Sequence, residues 1–295
     1  MSNLILVAGA TGNLGGRIIR QLLDRGAPVR AIVRASSDAS TVEELTNAGV
    51  EIVRAELTDL EALTQACQGV ACVVSAVQGL GDVIIDAQTV LLRAAVAAGV
   101  PRFIPSDFCS DFIHQPAGQN RNFDLRRSFK TVMDEAPIRA TSIFNGAFAE
   151  VLTYNIPLLD RKKKTVGYWG DADWAIDFTT VDNTAAFTAA AALDETTPRL
   201  LQIASFQVSP NQLVALTGEV MDEPFQLVRM GSLDDIAAYN QQQRAAQPEG
   251  ENQLYPAWQQ SQYLQSMLSV QFDHLDNERY PTIDWTPAAA LLATM

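Results

Sequence analysis

The chain has 295 residues, 47% of them hydrophobic, enough to bury the core of one large α/β domain or of a domain with a lobe. Its 34 acidic and 21 basic side chains leave a net charge of −13, which argues against nucleic acid or an anionic membrane as a partner, since both require a basic face. Three cysteines without a CxxC pair and only two histidines argue against a disulfide scaffold and a zinc site, so no metal is expected.

The N-terminus, MSNLILVAGATG, has no basic stretch before its apolar run and does not read as a signal peptide. Downstream, the longest apolar stretch (83–100) contains Asp86 and Arg93, which argues against a membrane span. A cytoplasmic protein is expected.

LILVA at 4–8 is a continuous apolar run ending in glycine, the pattern of a strand buried on both faces. Leu14, Ile18 and Leu22 then recur every four residues, and Gly26 stops that helix. Strands follow at 29–34, 50–55, 71–76, 102–106 and 138–143. Helices are expected between them at 41–48, 59–67, 83–98 (with Asp82 as its cap) and 120–136. This double βαβαβ pattern specifies an α/β fold with a doubly wound parallel sheet.

Beyond about residue 149 the regularity breaks. Tyr168, Trp169, Trp174 and Phe178 crowd a stretch that reads as short strands and loops. An alanine-rich helix covers 184–193, and Ser209 followed by Pro210 marks a helix start. Between 237 and 263, eight of 27 residues are Gln, which predicts a surface segment, and 280–287 is turn-like.

Gly9-Ala10-Thr11-Gly12-Asn13-Leu14-Gly15 is a GxxGxxG between a predicted strand and a predicted helix. Gly9 permits the tight turn, Gly12 the approach of a pyrophosphate, and Gly15 close helix–strand packing. The helix N-terminus beyond presents unpaired N–H groups to phosphate. Thr11, Asn13 and Leu14 complete the expected dinucleotide loop. At the end of the second strand stands Arg34, 19 residues after Gly15, where an arginine can pair with the extra phosphate of NADP. NADP(H) is therefore expected, with NAD(H) kept as the alternative by nearby Asp38.

VAGATGNLGGRI (7–18), the arginine ending strand two, GVPRFIPSDF (99–108) and FNGAFAE (144–150) together resemble the NmrA-like and isoflavone-reductase-like branch of the atypical short-chain dehydrogenases. The resemblance is good over the first 150 residues and looser from there to ERYPTIDWTP at 278–287. It implies a Rossmann domain over 1–153 and a smaller C-terminal substrate lobe over 154–295 with segments returning to the sheet. Many members of that branch reduce small aromatic molecules, while others bind the dinucleotide without turnover and regulate protein partners. By the same resemblance Pro105, Ser106 and Phe108 face the nicotinamide, and Asn145 to Phe148 border it. Topology places Ala76, Val77 and Gln78, at the end of strand four, along the cofactor.

Short-chain dehydrogenases ordinarily use Tyr-x-x-x-Lys, the ammonium lowering the tyrosine pKa for proton transfer. Here all six tyrosines lie at 154 or later, and none has Lys four residues on. Only four of the 21 basic residues are lysines: Lys130, Lys162, Lys163 and Lys164. The lysine that the reductase branch carries on the helix after its PSDF-like motif corresponds to Arg126, a poor acid or base. Lys130 lies one turn further on the same face. Arg126, Lys130 and Ser106 are the candidate catalytic residues. Phe108, His114, Tyr168, Trp169 and Trp174 are candidates for contact with a small-molecule substrate. Two readings follow: an NADPH-dependent reductase of a small aromatic carbonyl, enone or benzylic compound, or a non-catalytic NADP(H) sensor acting through a protein partner.

Overall fold

The structure is a computed structural model and describes residues 3–294. The first elements are β1 (Ile5–Ala8), α1 (Asn13–Asp24), β2 (Val29–Val33), α2 (Ala39–Asn47), β3 (Glu51–Arg54), α3 (Leu60–Ala66) and β4 (Cys72–Ser75). A π-helical turn (Asp82–Ala87) runs into α4 (Gln88–Ala97), followed by β5 (Arg102–Ile104), α5 (Arg121–Asp134) and β6 (Arg139–Ala140). Then come β7 (Ser142–Phe144), β8 (Ala147–Phe148), β9 (Thr165–Trp169), β10 (Ile176–Thr179), α6 (Val181–Leu193), β11 (Leu200–Gln202) and β12 (Phe206–Val208). The chain ends with α7 (Pro210–Met221), β13 (Gln226–Gly231), α8 (Leu233–Ala246), α9 (Ala257–Met267) and α10 (Ala288–Leu292). Among the described residues no helix is long and apolar enough to cross a membrane.

Two compact units share the chain. The first takes everything through Asp107, then Leu125–Ile143 and Thr184–Leu201; the second takes Phe108–Asp124, Phe144–Asn183 and the chain from Gln202 on. Along the sequence the two units thus alternate.

The first unit holds a six-stranded parallel sheet in the order β3-β2-β1-β4-β5-β6. Its strand order reverses at β1/β4, the switch point of a doubly wound sheet. β1 and β4 are buried at every position, as their unbroken apolar runs require. Leu6, Val73, Leu91, Phe103, Phe129 and Met133 belong to one apolar cluster there. α1 buries Gly15, Ile18, Ile19 and Leu22 as one stripe. Buried Arg102 donates to the carbonyls of Ala191 and Ala192, so a guanidinium meets the negative end of α6.

Two boundaries differ from expectation. Asp82 does not cap a helix but lies inside the π-helical turn, because the Leu80 carbonyl already accepts from Val83 and Ile84. The sixth strand breaks into β6 and β7 because its partner changes. Thr141 N donates to Phe103 O at 2.9 Å, and the next amide, Ser142 N, donates to Arg199 O at 2.9 Å.

In the second unit β10 pairs antiparallel with β12 and parallel with β8, while β9 and β13 form a separate parallel pair. Ser209 caps α7 in a reciprocal box with Gln212, and Pro210 occupies the first turn, as the sequence suggests. Most of the glutamine-rich stretch lies on the surface as expected, with Gln241, Gln242, Gln247, Gln253 and Gln260 exposed, but its end turns inward. Gln259 and Gln262 of α9 are buried, as are Asn120, Asn240 and Gln265, and these amides bond to one another or to backbone. Gln259 donates to the Asn120 side chain at 2.9 Å, and Asn240 donates to Gln265 at 2.8 Å. Arg121 N donates to the Gln262 side chain at 3.0 Å. The Arg121 guanidinium donates to the carbonyls of Gly250, Glu251, Gln253 and Leu254 and lies 4.8 Å from the Trp258 ring centroid.

Candidate functional site

The glycine loop is possible only with glycine at two of its positions. Gly9 has φ +79°, and a Cβ there would stand 2.4 Å from the Ala76 carbonyl oxygen. A Cβ on Gly15 would stand 2.1 Å from Gly9 O. The loop is closed by Gly12 N donating to Gly9 O at 3.0 Å. Backbone therefore lies directly against the end of β4, at the switch point, with the N-terminus of α1 opening beside it. Thr11 and Leu14 are half-buried and Gly12 and Asn13 are exposed; Asn13 accepts from Arg17 Nε at 3.0 Å.

Arg34 is exposed at the end of β2, where a turn is pinned by Arg34 N donating to Ser37 Oγ at 3.0 Å. Asp38 is committed elsewhere. Its Oδ2 accepts from Ser40 Oγ at 2.6 Å, and from Thr41 N and Oγ1, each at 2.9 Å, which caps α2. Those bonds, the one from Ser40 first, hold its carboxyl below the usual aspartate range. Of the two side chains, Asp38 is the one engaged as a helix cap.

Ser106, just past β5, is tied at all its polar groups. Its N donates to Gln88 Oε1 at 3.1 Å, its Oγ donates to Val77 O at 2.6 Å, and its carbonyl accepts from Arg126 Nε at 3.1 Å. The loop, Ala76, Val77, Ser106 and Arg126 thereby form one continuous shelf across the carboxyl ends of β1, β4 and β5. Pro105 is buried beneath it and Gln78 is exposed at its rim. The Ser106 hydroxyl proton is spent on Val77, so the side chain offers lone pairs rather than a proton. Lys130 is not drawn to this shelf. Its ammonium pairs with Asp134, which also takes Arg199 at 2.6 Å. These three charges line a recess of about 330 Å³ with Met133, Ala136, Ile138 and Ala140.

Next to Ser106, Asp107 is wholly buried. Burial pushes its carboxyl above the usual range, opposed by the Ser142 hydroxyl donated at 2.7 Å and by the fields of Arg126, Arg199 and Lys130.

In the second unit Phe108 and Asn145 are buried and Phe148 is half-buried. Asn145 N donates to Cys109 O at 3.1 Å. Trp169 and Trp174 pack on that unit's apolar cluster, Trp174 Nε1 donating to Met267 O at 3.1 Å, and Tyr168 is half-buried. His114 is exposed, its ring held by Nδ1 at 2.6 Å from Asp111 Oδ2. It lines a recess of about 320 Å³ with Trp174 and residues 269–273. That hydrogen bond and the Asp111 charge raise the His114 pKa above 6.5.

Gln88, Asp107 and Asp111 did not stand out in the sequence. A single amide inside the apolar run 83–98, and an acid three residues before His114, are the signals that could have found them.

The NmrA-like family model matches residues 1–256. A phenylcoumaran benzylic ether reductase from Pinus taeda is 26% identical over 234 residues, 74% of this chain and 75% of that one. A crystal structure of an isoflavone reductase superposes with a TM-score of 0.84 at 22% identity, over 100% of this chain and 99% of that one. The leucoanthocyanidin reductase–NADPH complex from Vitis vinifera gives 0.77 at 20% identity, over 99% and 98%. The two structures establish a shared fold.

Proposed function

We propose, from the premise that this chain belongs to the NmrA-like family, that it binds NADP(H) and reduces a small aromatic carbonyl, enone or benzylic substrate. The observation that carries this reading is the glycine cradle closed against Ala76, with Arg34 presented and Asp38 engaged as a cap. A dinucleotide fits such a cradle: a Cβ at Gly9 or Gly15 would fill it, and the N–H groups of α1 point to where a pyrophosphate would lie. Gly12 and Asn13 would hold the phosphates, Arg34 the additional phosphate, and Val77 and Ser106 the nicotinamide half. When bound, NADPH supplies the hydride. Arg126 steadies the Ser106 carbonyl and adds positive potential where negative charge develops. Relatives named as reductases of aromatic substrates support the substrate class.

A second reading is favoured by one observation. The Ser106 hydroxyl is committed to donating to Val77 O, and Arg126 does not deprotonate, so neither is poised to supply a proton from the shelf. On that reading the protein is a dinucleotide sensor that acts through a protein partner. Nicotinamide fluorescence during titration with NADPH and NADH, followed by loss of NADPH absorbance with aromatic ketones, enones and quinones, separates the two. Binding with turnover supports the reductase. Tight binding without turnover across the panel favours the sensor, and the lack of any binding overturns both.

A further inference from the structure

Gln88 sits in an unusual place for an amide. It is wholly buried at the start of α4, where the π-helical turn passes into regular helix. π-helical turns recur at functional sites because they redirect a side chain at some cost to the helix. Both ends of this side chain are used. Nε2 donates back to the Ile84 carbonyl at 2.7 Å, and Oε1 accepts from Ser106 N at 3.1 Å. A buried amide left half-satisfied costs about 1–3 kcal/mol, so the pair of bonds fixes its orientation. Ser106 in turn reaches Val77 O at 2.6 Å. A helix backbone, an amide side chain and two strand ends thus form a continuous strut.

Strand order shows what the strut supports. The pyrophosphate cradle lies at the end of β1, and Arg34 lies on one side of it, at the end of β2. A dinucleotide whose adenosine phosphate meets Arg34 must extend the other way, across the ends of β4 and β5, which carry Val77 and Ser106. We propose that Gln88 is a positioning residue. By bridging Ile84 O to Ser106 N, it sets the spacing of the Val77–Ser106 shelf on which the nicotinamide half of the dinucleotide rests. This inference rests on the proposed dinucleotide binding.

The strut makes a fragment-specific prediction. Adenosine 2′,5′-bisphosphate reaches Arg34 and the cradle but not the shelf, whereas NADP⁺ reaches all three. Gln88→Met keeps the volume and removes both hydrogen bonds. Calorimetry is expected to show NADP⁺ binding weakened about tenfold, with the bisphosphate unchanged within about twofold. Gln88→Glu adds a second readout. Neutral, its acid can donate to Ile84 O and accept from Ser106 N; ionised, it faces the Ile84 carbonyl with negative charge. Burial raises the pKa of such a carboxyl, so NADP⁺ affinity in Gln88→Glu is expected to recover as the pH falls from about 8 to about 6. Wild-type protein is expected to change little over that range.

Each other outcome has a distinct meaning. If wild-type protein binds neither ligand, the dinucleotide reading itself falls and the inference goes with it. If wild type binds both, and Gln88→Met binds NADP⁺ equally well, the positioning role alone is overturned. Equal loss of both ligands in Gln88→Met, with no recovery of Gln88→Glu at low pH, makes Gln88 a structural residue only and also overturns it.

Discussion

The two units solve the same problem, a polar backbone in an apolar interior, by opposite means. In the first, six parallel strands satisfy one another's backbone, and side chains at the core are almost wholly apolar. Apart from Gln88 on α4 and Arg102 against α6, its polar side chains gather at the strand ends, where the ladder stops and loops begin. The second unit has strands of two to six residues and few ladders. Side chains do what ladders do elsewhere: Arg121 serves four carbonyls, and buried amides of α9 pair with Asn120 and Asn240. The difference teaches that a polar residue at a strand end of the first unit is informative about ligands, whereas one in the second unit, like Arg102 in the first, is first of all a strut. Removing polar groups should therefore cost binding in one unit and stability in the other.

The strongest challenge to that division is Arg121→Met. Orphaning four carbonyls, one buried and three part-buried, and removing the Trp258 contact is expected to cost on the order of 3 kcal/mol, read from urea denaturation. A loss under about 1 kcal/mol would show that this hub does not hold the second unit together. In the first unit, Gly15→Ala drives a methyl group towards Gly9 O and is expected to weaken NADPH binding about a hundredfold, roughly 2.7 kcal/mol. Arg34→Ser should weaken NADPH binding about 10–50-fold while leaving NADH within about twofold. Equal weakening of both cofactors would remove Arg34 from phosphate recognition. Gln262→Leu, which strips the acceptor from Arg121 N, should lower stability by about 1 kcal/mol and leave NADPH affinity alone.

The smallest expected effect is at His114. Its folded pKa is raised above 6.5, so its stabilisation is fully present below about 6.5 and fades as the pH climbs through the folded value. The imidazole is 67% exposed, which keeps that contribution small. Asp111→Asn should move the His114 titration in NMR back towards 6.5. An unchanged His114 titration would mean that Asp111 does not govern the ring.

What could be read in advance was local. The glycine loop, the arginine ending β2 and the Ser209-Pro210 helix start each encode their geometry within a few residues. What escaped depends on distant partners. Gln88 gains meaning from Ser106, 18 positions away, and Arg121 from Gln262, 141 positions away. Composition placed most of the glutamine-rich stretch correctly on the surface but missed buried Gln259 and Gln262 for the same reason, since an amide reads as a surface residue until its buried partner is known. Lys130 and Arg126 look equivalent by helical spacing, and only the placement of Asp134 and Ser106 separates them.

Buried Arg102 has a consequence for how the chain is made. The carbonyls it serves, at Ala191 and Ala192, are synthesised about 90 residues after the arginine itself. Until that stretch has left the ribosome, closing the first unit would trap an uncompensated guanidinium, and the sheet must wait, half-finished, for α6. A fragment ending near residue 153 should therefore remain a chaperone client, and the first unit becomes a stable product only once residue 192 has emerged from the ribosome.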